Sequence, residues 1–189
     1  MAASARREQL LDVTTPIVVE RGFQGVSIEA VAQSAGITRA VVYQHFGDLQ
    51  ALLEAVVERE MSRALSQVSE TTLTDLTGGD PKELMLESLR AYLCAVKDHP
   101  TTWRFVLMPP VGAPEILRKS IARGRGRVLA QMAEAVQPLP RSNEESGDAE
   151  LTASVLSAIA DEYARLVLTD PVRFAPERLL RHARWWLRF

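Results

Sequence analysis

Residues 28–46 read IEAVAQSAGITRAVVYQHF, two short apolar patterns separated by a glycine. Ile28, Val31, Ala32 and Ala35 recur on one helical face, and Val42 and Phe46 stand four apart on a second helix. Gly36-Ile37 breaks the first helix, and Gly36 supplies the backbone freedom of a sharp turn. Ser27 and Thr38 stand where N-caps belong, and Glu29 suits the positive end of the first helix. Ala30 occupies the place where a Glu would close a capping box, so no full box is expected. Ala32 and Ala35 are small enough for close helix approach and, with Ile37, complete a small core. Two short helices joined in this way form the helix-turn-helix pattern. With Val42 and Phe46 inward, Arg39, Ala40, Val41, Tyr43 and Gln44 fall on other faces, a set suited to contact in a groove.

The flanking sequence is also helical. Residues 6–20 carry Leu10, Leu11, Thr14, Ile17 and Val18 on one face, and Gly22 ends that helix. Gly47-Asp48 breaks the chain again, with Asp48 as cap of a long helix to about Ser69 whose stripe is Leu52, Leu53, Val56, Val57 and Leu65. Residues 73–81 form a loop and a helix start with Pro81 near N1. Helices are expected over 82–98, ended by His99-Pro100, over 101–108, and from Pro114 to about 136, where Gly124 and Gly126 weaken the middle. Residues 138–147 read as a polar loop. Helices over 148–169 and 176–188 complete an all-α chain of about nine helices, with no strand pattern and no solenoid repeat. The expected organisation is a three-helix helix-turn-helix domain over 1–48 and a second helical domain over 49–189.

Composition bounds the function. With 189 residues, 47% hydrophobic and 24% charged, the chain can bury a real core. Its opening residues hold no apolar signal-peptide core, and no run approaches the roughly 20 apolar residues of a membrane span, so a cytoplasmic protein with no membrane partner is expected. The single Cys94 fits a reducing compartment and falls on a stripe expected to be buried. His45, His99 and His182 are far apart and in no metal-ligand spacing, so neither a metal nor a cofactor is implied. The net charge of −2 excludes bulk electrostatic attraction to nucleic acid, and binding has to come from local arrangement.

Residues 10–57 resemble the DNA-binding domain of the tetracycline-repressor (TetR) family. Gly22-Phe23, Ser27, Val31-Ala32, Ala35-Gly36-Ile37, Tyr43 and His45-Phe46 all fall in register. The resemblance implies a ligand-responsive regulator, most simply a repressor, that binds a palindromic operator in double-stranded DNA as a homodimer and is released by a small, largely apolar effector. Tyr43 and His45 match the family's phosphate-contacting positions. Ser27 and Thr38 can offer hydroxyl or backbone N–H groups to phosphates at helix N-termini. Arg39 can pair with guanine, Ala40 and Val41 can meet thymine methyls, and Gln44 can reach an adenine edge or a phosphate. Arg6 and Arg7 can add backbone or minor-groove contacts. One position departs from the pattern: Leu49 stands where the family commonly has a phosphate-clamping Lys. Residues 1–47 set Arg6, Arg7, Arg21 and Arg39 against Glu8, Asp12, Glu20 and Glu29, a balance of zero. Modest affinity per half-site and a shallow salt slope are expected, with dimerisation supplying much of the binding.

The resemblance also implies that 49–189 is a ligand-sensing and dimerisation domain whose last two long helices form a four-helix interface. Leu151, Val155, Leu156, Ile159, Ala160, Trp185 and Trp186 are its expected residues, with Ala153 and Ala164 allowing close contact and Leu166 adding apolar area. Trp103, Phe105, Leu107 and Met108, bounded by helix breaks, suit a wall of an adaptable ligand cavity, and Met85, Tyr92, Met132 and Tyr163 extend it. Plain core is the other reading of each. Arg118, Lys119, Arg123, Arg125 and Arg127 wrap around their helix as a solvated face would, although an acidic ligand would find charge there. Arg178, Arg181, Arg184 and Arg188, with Trp185, Trp186 and Phe189, read as a terminal helix packing its aromatics on the body or a partner in preference to a membrane surface. The rival from another class is a helical enzyme or carrier on this scaffold. It finds no nucleophile–base pair, metal set or phosphate loop, and a palindrome upstream of the gene would discriminate against it. Activation in place of repression is a second alternative within the DNA-binding class.

Overall fold

The computed structural model describes residues 3–71, 78–136 and 148–187, and among them nine α-helices and one 3-10 turn form. The polar segment 138–147, residues 72–77, Arg188 and Phe189 lie outside the described residues. Helix α1 (Ala3–Arg21) buries the expected face of Leu10, Leu11, Thr14, Ile17 and Val18. Gly22 leaves it at φ 73, and the 3-10 turn Phe23–Gly25 carries the chain to α2 (Ile28–Ala35). Ser27 caps α2 by accepting from the Ala30 N–H at 3.1 Å, and Gly36 closes it in the left-handed conformation at φ 65. Thr38 precedes α3 (Arg39–Phe46), but its hydroxyl makes no capping bond there. Val31, Ala32, Ala35, Val42 and Phe46 close a first core with α1 and with α4 (Leu49–Thr71), which Asp48 caps through the Ala51 N–H at 2.8 Å.

A second layer follows: α5 (Pro81–Asp98), α6 (Pro100–Leu107), α7 (Glu115–Val136), α8 (Ala149–Thr169) and α9 (Pro176–Trp186). Their own core joins Leu86, Leu93 and Val96 of α5 to Trp103, to Tyr163, Ala164, Val167 and Leu168 of α8, and to Leu179, Leu180 and Ala183 of α9. Helix α4 packs in both cores, with Leu52, Val56 and Met61 in the first and Val68 against the second. Cys94 departs from expectation and is exposed. The inward stripe of α5 runs through Leu86, Leu89, Leu93 and Val96, and Cys94 stands one residue, about 100° of helix, off that stripe. Among the described residues no helix is long and apolar enough to cross a membrane.

Candidate DNA-binding face and effector cavity

On α3 the inward and outward sets separate as helical geometry requires. Val42 is fully buried and Phe46 nearly so, which turns Arg39, Ala40, Tyr43 and Gln44 outward, with Val41 and His45 half-buried. Thr38 is exposed, and Ser27 is half-buried and occupied by its cap. Arg39 is paired with Glu29 of α2 at 2.9 Å, both side chains remaining mostly exposed. The hydrogen bond from Arg39 holds the Glu29 carboxyl below the usual carboxylate range, and Glu29 raises the Arg39 guanidinium in return. Arg7 lies over the Phe46 ring at 4.6 Å, and Arg6 bonds Gln9. Leu49 packs against the first core, with its side chain half-buried.

The larger layer holds a partly open cavity of about 230 Å³ between α4, α5, α6, α7, α8 and α9. Met85, Tyr92, Trp103, Leu107 and Met132 line it. Phe105, Met108 and Tyr163 stand elsewhere. On α6, Phe105 lies on the side opposite the cavity and meets the Phe23 ring edge-on at 5.8 Å in the first core. Met108 follows the helix end and is exposed. The Tyr163 hydroxyl is 2.6 Å from His182 Nδ1 and accepts from the Trp186 indole at 3.2 Å, so its ring packs toward α9. Polar groups on the cavity wall cluster where α5, α7 and α8 meet. There the Tyr92 hydroxyl donates to Asp161 at 3.3 Å, and Arg125 pairs with the same carboxylate. Burial raises the Asp161 carboxyl above its ordinary value in spite of Arg125 and Arg165, and burial together with Asp161 pushes the Tyr92 phenol up. Of the basic run on α7, Lys119 pairs with Glu115, Arg118 bonds the Ala113 carbonyl and Arg123 bonds Ser120.

The residues named for the dimer seam divide. Leu151, Val155 and Trp185 are exposed, whereas Leu156, Ile159, Ala160 and Trp186 line the cavity. Ala153 and Ala164 are buried within the protomer. On α9, Arg184 bonds Glu83, and Arg178 lies by the Phe174 ring.

Sequence reasoning passed over the polar junction that ties the two layers. Glu60, 1% exposed, accepts from Arg59 at 3.1 Å and Arg63 at 3.2 Å with one oxygen, and from the Thr102 hydroxyl of α6 at 2.5 Å with the other. Arg59 also reaches Asp12 and Thr15 of α1. Beyond α6, the Phe23 N–H donates to the Val111 carbonyl at 3.2 Å, and a Cβ at Gly22 would stand 2.7 Å from that oxygen. The signal for Glu60 was present: Val56, Val57, Glu60 and Ala64 share one apolar register, and a carboxylate in such a stripe requires partners.

The comparisons with known proteins converge. A family model described as bacterial regulatory proteins of the tetR family matches residues 10–56. An HTH-type transcriptional regulator of Mycobacterium tuberculosis is 30% identical over 139 residues, covering 70% of this chain and 64% of its own length. This chain therefore spans slightly less than two thirds of that relative. A TetR-like transcriptional regulator from Rhodococcus sp. RHA1 superposes with a TM-score of 0.76 at 22% identity, over 100% of this chain and 98% of the other. A transcriptional regulator from Pseudomonas aeruginosa PAO1 does so with a TM-score of 0.74 at 20% identity, over 100% and 91%. At these identities the structural likeness is one of fold.

Proposed function

We propose that this chain, whose residues 10–56 match the tetR family of bacterial regulatory proteins, is a ligand-responsive repressor of that family, not an enzyme, binding a palindromic operator as a homodimer. The observation that carries this reading is the outward set of α3: Arg39, Ala40, Tyr43 and Gln44 stand free of the core that Val42 and Phe46 anchor. A helix held rigidly by one face presents the other to the major groove. Two such helices, about 34–36 Å apart in a dimer, would read successive turns of one face of the duplex. Leu151, Val155 and Trp185 on the outer surface of α8 and α9 supply apolar area for that pairing.

The cavity supports the second half of the proposal. Its wall is mostly apolar, and α6 separates it from the first core, with Trp103 and Leu107 on the cavity side and Phe105 on the other. An effector that binds only one position of α6 would shift the spacing of the recognition helices through Glu60–Thr102 and Phe23–Val111, provided its affinity differs between the two arrangements.

Fluorescence anisotropy tests the proposal directly, using the DNA upstream of the gene, scrambled DNA of equal length, and the Arg39→Ala, Tyr43→Ala double variant. Saturable binding to the upstream DNA alone, weakened at least about tenfold in the variant, is expected from the loss of one base-edge and one phosphate contact. Equal binding to both DNAs, unaffected by the substitutions, would overturn it.

A further inference from the structure

We propose that the cavity takes an amphiphile with a single positive charge, its ammonium group replacing the Arg125 guanidinium on Asp161 and its apolar body lying against Met85, Leu89, Trp103 and Met132. This rests on the reading of the cavity as the effector site and goes further by assigning the charge of the ligand.

Among the described residues the charged groups in the wall are Arg125, Asp161 and Arg165. Arg165 acts on Asp161 through its charge but has partners of its own: its guanidinium bonds the Leu107 carbonyl at 3.3 Å and Glu162 at 3.4 Å, and Glu162 offsets its charge. The choice of ligand charge therefore lies with the Arg125–Asp161 pair, and its two members are unequal. The Arg125 side chain is 48% exposed and that of Asp161 is 16% exposed. Arginine is long, and its head can reach water while its stem stays in place, so displacing Arg125 leaves no buried charge behind. Asp161 is short and has no such route. An anionic ligand on Arg125 would strip Asp161 of its partner and set a second carboxylate beside it, which is the costly way to break a partly buried pair. A cation on Asp161 avoids both penalties.

The neighbours of Asp161 suit a cation as well. The Tyr92 hydroxyl orients the carboxylate, and the Tyr92 ring meets Trp103 edge-on at 5.0 Å, with Trp186 also in the wall. Aromatic faces next to a carboxylate attract alkylammonium groups through the ring quadrupole. A cavity of about 230 Å³ has room for a short alkyl chain, and an eight-carbon chain serves as the probe.

Calorimetric titration of the full chain with octyltrimethylammonium, octanoate and octanol decides the matter, in the parent protein and in the Asp161→Asn and Arg125→Ala variants. The cation is expected to bind about tenfold or more tightly than octanoate, the margin of one close contact between unit charges in partly screened surroundings. Asp161→Asn is expected to remove that advantage while changing octanol binding far less. Arg125→Ala, which removes the competing cation of the protein, is expected to tighten the ammonium probe. Octanoate binding as tightly as the cation, or Arg125→Ala weakening the cation, would overturn the assignment, and both readouts hold even if Asp161→Asn does not fold. Binding of octanol and octanoate with the ammonium excluded sinks the charge assignment alone. If none of the three probes binds, the cavity reading falls with it.

Discussion

Arg39 is engaged before any DNA arrives. Its exposed pair with Glu29 keeps the guanidinium on the outward surface of α3, the face proposed to meet DNA, but sets a carboxylate beside it. An exposed pair of this kind contributes little to stability and is readily exchanged for a phosphate or a guanine edge. Glu29→Gln is therefore expected to raise operator affinity about two- to fivefold and to steepen the salt dependence, because one repulsive charge leaves the interface. Anisotropy titrations at several salt concentrations check this; an affinity that falls would mean that Glu29 positions Arg39 productively. The outward set of α3 was legible because it depends on Val42 and Phe46, four residues apart on the same helix. Asp161 was not singled out, because a carboxylate near the apolar face of α8 gains its meaning from Tyr92 and Arg125, far away in sequence.

At the scale of elements, α6 and α7 carry the most information. Helix α6 has only eight residues, yet Thr102 and Phe105 face the first core while Trp103 and Leu107 face the cavity. That division explains why Phe105 is not a cavity residue although its neighbours are: a short apolar helix between two cores serves both. Helix α7 carries two glycines with different surroundings. A Cβ at Gly124 would meet Leu65 at 3.2 Å, whereas a Cβ at Gly126 would meet nothing within 4 Å. Gly126→Ala is expected to stabilise the protein by about 0.8–1 kcal/mol through helix propensity, raising Tm by about 2–4 °C. Thermal unfolding followed by circular dichroism measures this, and an unchanged or lower Tm would show that Gly126 has a role beyond the helix.

For the whole molecule, the proposed homodimer is what converts a charge-balanced first domain into a useful DNA binder. Val155 and Leu151 stand one turn apart on the outer face of α8, half or more exposed. Val155→Asp is expected to leave helical content unchanged, to give a monomer on gel filtration, and to lower operator affinity about a hundredfold, since the second half-site loses its effective concentration. A dimer that persists would move the interface elsewhere. What the sequence determined by itself was local: helix ends, the Ser27 and Asp48 caps, the turn at Gly36, and which face of each helix is apolar. These depend on neighbours within about one or two turns, where periodicity and capping chemistry act. Only the tertiary structure decided what each apolar face meets. It sent Leu156, Ile159, Ala160 and Trp186 to a cavity, left Leu151, Val155 and Trp185 outside, exposed Cys94, and buried Glu60 between α1, α4 and α6. The reason is that a helical period specifies the direction of a side chain about its own axis, while the partner across the interface is chosen by packing among helices distant in the chain.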